Sequence, residues 1–512
     1  MSFPRQMEEF APACRLAAAL ALAASLAAAG GCATVDPVIA DRESDRSTVF
    51  DCVEWYRNLD AAVEAAGVQD AQATRVRGFP YFRVDRFTAS LRDTAGNLDS
   101  TMLALSDRLL DLDLEARTHE IANLPRGRLK AIWTGIGEPN AANALEQTRE
   151  CGLRMRDFDL ESDATRAALR DRLTVPDDYV TAYRIFGLYG LSKIPFSAGV
   201  RRHVEESSAA FARDLESTSR GTVVRYSPAS RPRMAREKVR EILARSADNP
   251  LRVPMPADED LDTLSALYAP SFEVETVADF DRPGALRWRW GAVPEVDATD
   301  VAVYRQAANT RYKGTNLLQL AYTVWFPERP PQSPGDLLAG RLDGVVFRVT
   351  LAPDGTPLVY DSIHPCGCYH MFFPTPRATP LPAPADEPEW AQIPQKLRAT
   401  DMTDRIVVRI ASGTHYVERV YRDRGDSLAR YELRPYDELR SLPRMPGGTR
   451  SVFGPDGIVA GTERGERFLF WPMGIENAGA MRQWGRHATA FVGRRHFDDA
   501  DLLERRFELD LK

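Results

Sequence analysis

DGVVFRVTLAPDGTPLVYDSIHPCGCYH, residues 343–370, decides how the second half of this 512-residue chain is read. Two short runs rich in β-branched and aromatic residues flank Pro353, Asp354 and Gly355. Proline presets φ for a turn and glycine permits φ > 0, so the combination predicts a β-hairpin. The hairpin runs directly into HPCGCYH, where His364, Cys366, Cys368 and His370 recur at every second position. All four are side chains that hold metals.

Working outward, SFEVETV, DVAVYRQA and NLLQLAYTVWF show the same short alternating runs. RIVVRIASGTHYVERVY reads as a second hairpin with His415 in its turn, and RFLFWPM and ATAFVG as further strands. Residues 374–395 carry seven prolines, which predicts a surface excursion or stiff loop. Upstream the period changes. FDCVEWYRNLDAAVEAAGV, LDSTMLALSDRLLDLDLEARTHEIANL and NAANALEQTRECGLRMRDFDL place apolar residues at helical spacing, and Pro125 stops the second. Two shorter helices are expected in SRPRMAREKVREILARSADNPL and DEDLDTLSALYAP. Segregated elements of this kind predict an α+β fold, a helical N-terminal half followed by a β-rich, mostly antiparallel C-terminal half. The expected divisions are a helical domain at 48–225, connecting helices and loops at 226–300, and a β-rich domain at 301–512.

Composition is that of a globular protein, with 44% hydrophobic and 27% charged residues. The net charge of −7 offers no clustered positive surface for a nucleic-acid backbone. Only six of the 66 basic residues are Lys, a bias read as GC-rich codon usage rather than Arg-based phosphate recognition.

The first 31 residues have the layout of an export signal. Arg15 precedes LAAALALAASLAAA, residues 16–29, an uncharged run shorter than the roughly 20 residues that span a bilayer. AGGCAT, residues 29–34, resembles the lipobox of bacterial lipoproteins. The resemblance covers residues 1–33 and implies cleavage before Cys32 and its acylation. With Ala33 rather than Asp next, it also implies sorting to the outer membrane, facing the periplasm. Residues 32–47 then form a polar tether. Plain secretion, with cleavage after the A-x-A of Ala27 and Ala29, is the alternative.

Cysteine usage follows. Cys14 leaves with the signal and Cys32 is taken by lipid, so Cys52, Cys151, Cys366 and Cys368 remain in a disulfide-permissive compartment. Cys52 and Cys151 lie on two helices of one domain and are expected to bridge.

HPCGCYH admits three readings. Along a straight strand its alternate side chains stand roughly 6.5–7 Å apart, too far for one ion whose ligands lie about 2.0–2.3 Å away. The segment must curl, and Pro365 and Gly367 supply the bend. A metal site, a disulfide involving Cys366 or Cys368, and reduced thiols beside incidental histidines all remain open. Two His and two Cys would close a structural zinc shell. An open catalytic centre would need a distant donor from His415, His487 or His496, with zinc for hydrolysis or copper for redox chemistry. No H-E-x-x-H, G-x-S-x-G or phosphate-binding glycine loop is present. The functional expectation is a lipid-anchored periplasmic protein with a binding or envelope-structural role, the rival being a periplasmic zinc-dependent hydrolase.

Overall fold

A computed structural model describes residues 48–512 apart from 95–98, 136, 215–220, 290–292, 385–386, 399–404, 424 and 426. The apolar run 16–29, Cys32 and the tether lie outside the described residues.

Three long helices come first among the described residues, α1 (Thr48–Ala66), α2 (Asp99–Asn123) and α3 (Ala141–Leu160). Asn140 caps α3 by accepting the Asn143 N–H at 2.9 Å. Trp55, Tyr56, Leu59 and Val63 of α1 pack with Leu105 and Leu109 of α2 and Met155 of α3. Cys52 and Cys151 are bonded, tying α1 to α3 as expected. A hairpin not anticipated from the sequence, β1 (Thr74–Val76) and β2 (Phe79–Val84), inserts among these helices. It hides its alternation because Arg83, the polar residue of β2, is also buried, held by Asp113 and Glu120 at 3.1 and 2.7 Å.

The helices α4 (Thr181–Phe186) and α5 (Tyr189–Ala212) follow. After them comes β3 (Thr222–Pro228), which straddles residue 225, then α6 (Arg236–Ser246), α7 (Asp258–Tyr268) and β4 (Ser271–Thr276). The remaining long strands are β5 (Ala302–Tyr312), β6 (Thr315–Arg329), β7 (Gly340–Leu351), β8 (Pro357–Ile363), β9 (Met371–Pro374), β10 (Arg405–Ile410), β11 (Val417–Asp423) and β12 (Ala429–Pro435). They form one ten-stranded sheet in the order β9-β8-β7-β6-β5-β12-β3-β4-β10-β11. Six of its nine pairings are antiparallel; β12 runs parallel to both neighbours and β10 to β4. The fold is therefore α+β, with the expected order of halves.

Both faces of the sheet are covered, which is why β6 and β7 are buried along nearly their whole length. Leu320, Tyr322 and Val324 of β6 pack with Val239 and Ile242 of α6 and Leu264 of α7. On the other face Ala321 and Trp325 meet Tyr436, Phe453, Met481 and Phe497 from the irregular C-terminal segment. The β7–β8 hairpin turns at Gly355, φ +81°, with Tyr360 opposite Val349.

Two strand expectations are corrected. RFLFWPM forms a helical turn, α8 (Arg467–Phe470), continued by a 3₁₀ turn at Trp471–Met473. A short apolar run has no period long enough to separate strand from helix, and Pro472 lacks a ladder donor. ATAFVG is a loop joined to its surroundings by a single bridge, Ala488 to His496. Its N–H groups go to the Tyr179 hydroxyl, the Arg495 carbonyl and the Glu389 carboxylate rather than to a neighbouring strand.

The bridge between Cys52 and Cys151 closes a loop of 99 residues. In the chain-entropy model that constraint contributes about 4–5 kcal/mol. Replacing both cysteines by alanine should therefore lower the urea unfolding free energy by up to that amount. Peptide mapping under denaturing conditions should label Cys366 and Cys368 at once, and Cys52 and Cys151 only after reduction.

Candidate functional site

The loop between β8 and β9 is HPCGCYH itself, and it curls. Gly367 sits at φ +89° and Tyr369 at φ +60°, while the His364 N–H bonds the Cys368 carbonyl at 3.0 Å. Only glycine fits at 367, because a Cβ there would stand 2.4 Å from the Ala488 carbonyl oxygen.

The curl brings two of the four donors together. Cys366 and Cys368 are unbridged, and the Cys368 thiol hydrogen-bonds Cys366, lowering the Cys366 pKa and raising that of Cys368. The histidines turn to different carboxylates. His364 Nδ1 meets Asp343 at 3.2 Å, and His370 Nε2 meets Asp361 at 3.0 Å. Arg348 grips the same Asp361 through two bonds of 3.0 and 2.6 Å. Burial pushes the His370 pKa down to about 3 and that of His364 below its usual value, so both rings are neutral near pH 7.

The downstream histidines divide between networks. His415 joins His364 on Asp343, its Nδ1 2.9 Å from the carboxylate, and its Nε2 stands 3.5 Å from Asp281. The ring stacks on Phe326 with centroids 4.1 Å apart. Burial opposes a charge on His415, but the bonding and charge of Asp281 and Asp343 outweigh it and raise its pKa. Arg464 and the imidazoles hold Asp343 well below the carboxylate range despite its burial. His487 bonds the Pro365 carbonyl, and burial brings its pKa to about 4. His496 faces Asp178 at 3.4 Å. Among the described residues, no group of three or more His, Cys, Asp or Glu side chains is arranged to hold a metal.

The turn instead forms the floor of a cleft of about 800 Å³. One wall is α5, through Pro195, Phe196, Gly199, Val200 and His203. Phe470, Phe491 and Ala488 to Ala490 continue the lining beside it, and Trp390 joins them from the proline-rich loop. Phe196 meets Phe470 edge-on at 4.9 Å. On the floor, Tyr369 and Tyr416 lie 4.6 Å apart, with His203 and His364 each 5.0 Å from the Tyr369 ring. Arg329 bonds the Tyr416 hydroxyl at 3.1 Å. Among the polar lining groups Glu466 titrates near neutrality, burial raising its pKa to about 7.

The sequence pattern pointed to the floor but not the walls. His203, Trp390, Tyr416 and Glu466 come from four separate segments, and no local spacing relates them. The one available signal was the apolar run at 185–200, interrupted by Gly and Pro in an otherwise polar helical region. Comparison with protein-family models, with curated proteins and with solved structures gives no match.

The environment of His415 gives folding a pH dependence with a fixed sign. Its folded pKa lies above the unfolded value of about 6.5, so its contribution is complete below that pH and fades as pH rises through the folded value. Urea titrations should show the stability gap between wild type and His415→Gln narrowing from pH 6 to pH 9. A constant gap would mean that folding leaves its pKa unshifted, and a widening one that the buried ring is held neutral.

Proposed function

We propose that this is an exported, lipid-anchored protein of the bacterial envelope, facing the periplasm, that binds an amphiphilic small molecule in the cleft below α5. The observation that carries the binding role is the lining: aromatic and aliphatic side chains over most of the surface, with a few polar groups gathered at the floor. Cavities of this size and composition enclose organic ligands, the apolar walls supplying affinity and the scattered polar atoms orientation. An apolar body would lie against the cluster formed by Phe196, Phe470 and Phe491, with a polar head toward Tyr416, His203 and Glu466. The anchored location rests on the lipobox-like AGGCAT at 29–34 and acylation of Cys32.

A second reading, a zinc-dependent hydrolase using His364, Cys366, Cys368 and His370, draws on one feature. His364 Nε2 and His370 Nδ1 are buried without a hydrogen-bond partner, while the other nitrogen of each ring is held by a carboxylate. Metal-bound histidines show that arrangement. The rings serve different aspartates, so this reading requires the turn to rearrange around the ion. Elemental analysis of the purified protein tests it: stoichiometric zinc or copper, lost in Cys366→Ser, would favour it over plain ligand binding.

Gly199 lies on the cleft wall, and a Cβ built there meets open space. Gly199→Phe should fill the cleft without lowering the melting temperature, since it also replaces a poor helix former. Binding of the fluorescent fatty acid cis-parinaric acid should weaken at least tenfold. Unchanged binding would remove the cleft as the ligand site.

Glu466 predicts a pH effect on the same probe. Below about pH 7 its carboxyl is neutral, and above it a negative charge faces the anionic head. Affinity should fall between pH 6 and pH 8 in wild type and remain level in Glu466→Gln, as read by probe titration.

A further inference from the structure

Ile185, Phe186, Leu188, Leu191 and Ile194 stand on the corner between α4 and α5 with their side chains in solvent. Phe468, Leu469 and Trp471 do the same on the turn of α8. Apart from Trp471, at 38%, each exposes 59–79% of its surface. These eight are almost half of the seventeen large apolar side chains exposed among the described residues. The two segments touch: Tyr183 meets Trp471 at 6.1 Å, and a Cβ at Gly187 would lie 2.5 Å from that of Pro472. The eight side chains thus belong to one surface region, a concentration that scattered surface residues do not produce.

Charge is equally uneven. Residues 181–200 and 467–475 carry Arg184, Lys193 and Arg467 and no acidic residue, while Arg201 and Arg202 are followed by exposed Glu205 and Glu206, and residue 475 by exposed Glu476. Arg184 is engaged with the carbonyls of Met473 and Gly493, whereas Lys193, Arg201 and Arg202 are exposed. Apolar side chains beside basic ones, with Tyr183, Tyr189 and Trp471 among them, are the makeup of a surface that enters the interface of an anionic bilayer.

We propose that this corner docks on the membrane that carries the protein, seating the mouth of the cleft against lipid. The proposal rests on the anchored reading of Cys32. Fifteen residues, 33–47, separate that cysteine from α1, and sixteen fully extended steps span at most about 55 Å. The anchor therefore keeps the described structure at the bilayer, where an exposed apolar surface meets acyl chains at high local concentration. A second copy is disfavoured as the occupant, because a self-complementary contact would set these basic rims against each other. Ser192, Pro195 and Pro472 of the cleft lining neighbour the exposed residues in sequence, and Leu469 belongs to both sets, so lipid at this surface borders the cleft. The ligand class that follows is an acyl-chain amphiphile taken from the bilayer.

The test uses the full chain purified from membranes and reconstituted into phosphatidylcholine and phosphatidylglycerol vesicles with brominated acyl chains. Bromine should quench the emission of Trp471, and Trp471→Phe should remove most of that quenching. Phe186→Ser with Leu188→Ser should reduce it at least threefold at an unchanged melting temperature, and Lys193→Glu with Arg467→Glu should do likewise. Quenching independent of Trp471, or insensitive to both double variants, overturns the proposal. So does cross-linking of position 188 to a protein, or to a second copy, with Trp471 unquenched. Failure of the anchor looks different: the mature chain lacks the mass of acyl groups on Cys32, while added vesicles still quench Trp471. Failure of the docking surface leaves an acylated chain held on vesicles with Trp471 dark to bromine.

Discussion

The buried carboxylate of Asp343 is the constraint on which the site depends. A charge taken out of water must be met by partners, and removing one partner of a buried pair typically costs about 3–5 kcal/mol. Asp343, on β7, meets His364 from the end of β8, His415 from the β10–β11 turn and Arg464, which precedes α8 and stands 3.5 Å away. Three connections that are remote in sequence are thereby held at one point. They are the connections that carry Tyr369, Tyr416 and Glu466 to the cleft.

The same device joins the two halves of the chain. Arg440 holds Asp70 through bonds of 2.8 and 3.0 Å, and its carbonyl accepts from Asn123 at the end of α2. Arg86 reaches Asp178 and Asp498. The planar guanidinium matches a carboxylate at two points, which an ammonium does not. The arginine-rich, lysine-poor composition therefore has a structural use in the interior: Arg83, Arg117, Arg348 and Arg440 are all fully buried. Nothing in the charge count distinguishes these from surface arginines.

The turn of α8 faces two ways. Glu466 lies inside the cleft, over Gly479, where any Cβ would collide with its carboxylate. Phe468, two residues on, is in solvent. A turn of this kind links the chemistry of the cleft to whatever covers the outer surface, and α5 behaves similarly, with Phe196 inward and Ile194 outward. The proposed lipid docking and the proposed ligand cleft share these two elements.

From the sequence alone one obtains a helical half followed by a strand-rich half, the turn at Gly355, the bend at Gly367 and the pairing of Cys52 with Cys151. All but the last are decided within a few residues, by periodicity and backbone freedom; the bridge followed because two cysteines lay on helices of one compact half. The strands expected at 467–473 and 488–493 failed because short apolar runs carry no period of their own. Where the histidines of HPCGCYH point was decided only by the tertiary structure. An imidazole at the end of a curled turn follows the nearest buried carboxylate, and Asp343 and Asp361 arrive there from β7 and β8 through sheet register, which no spacing within the motif encodes.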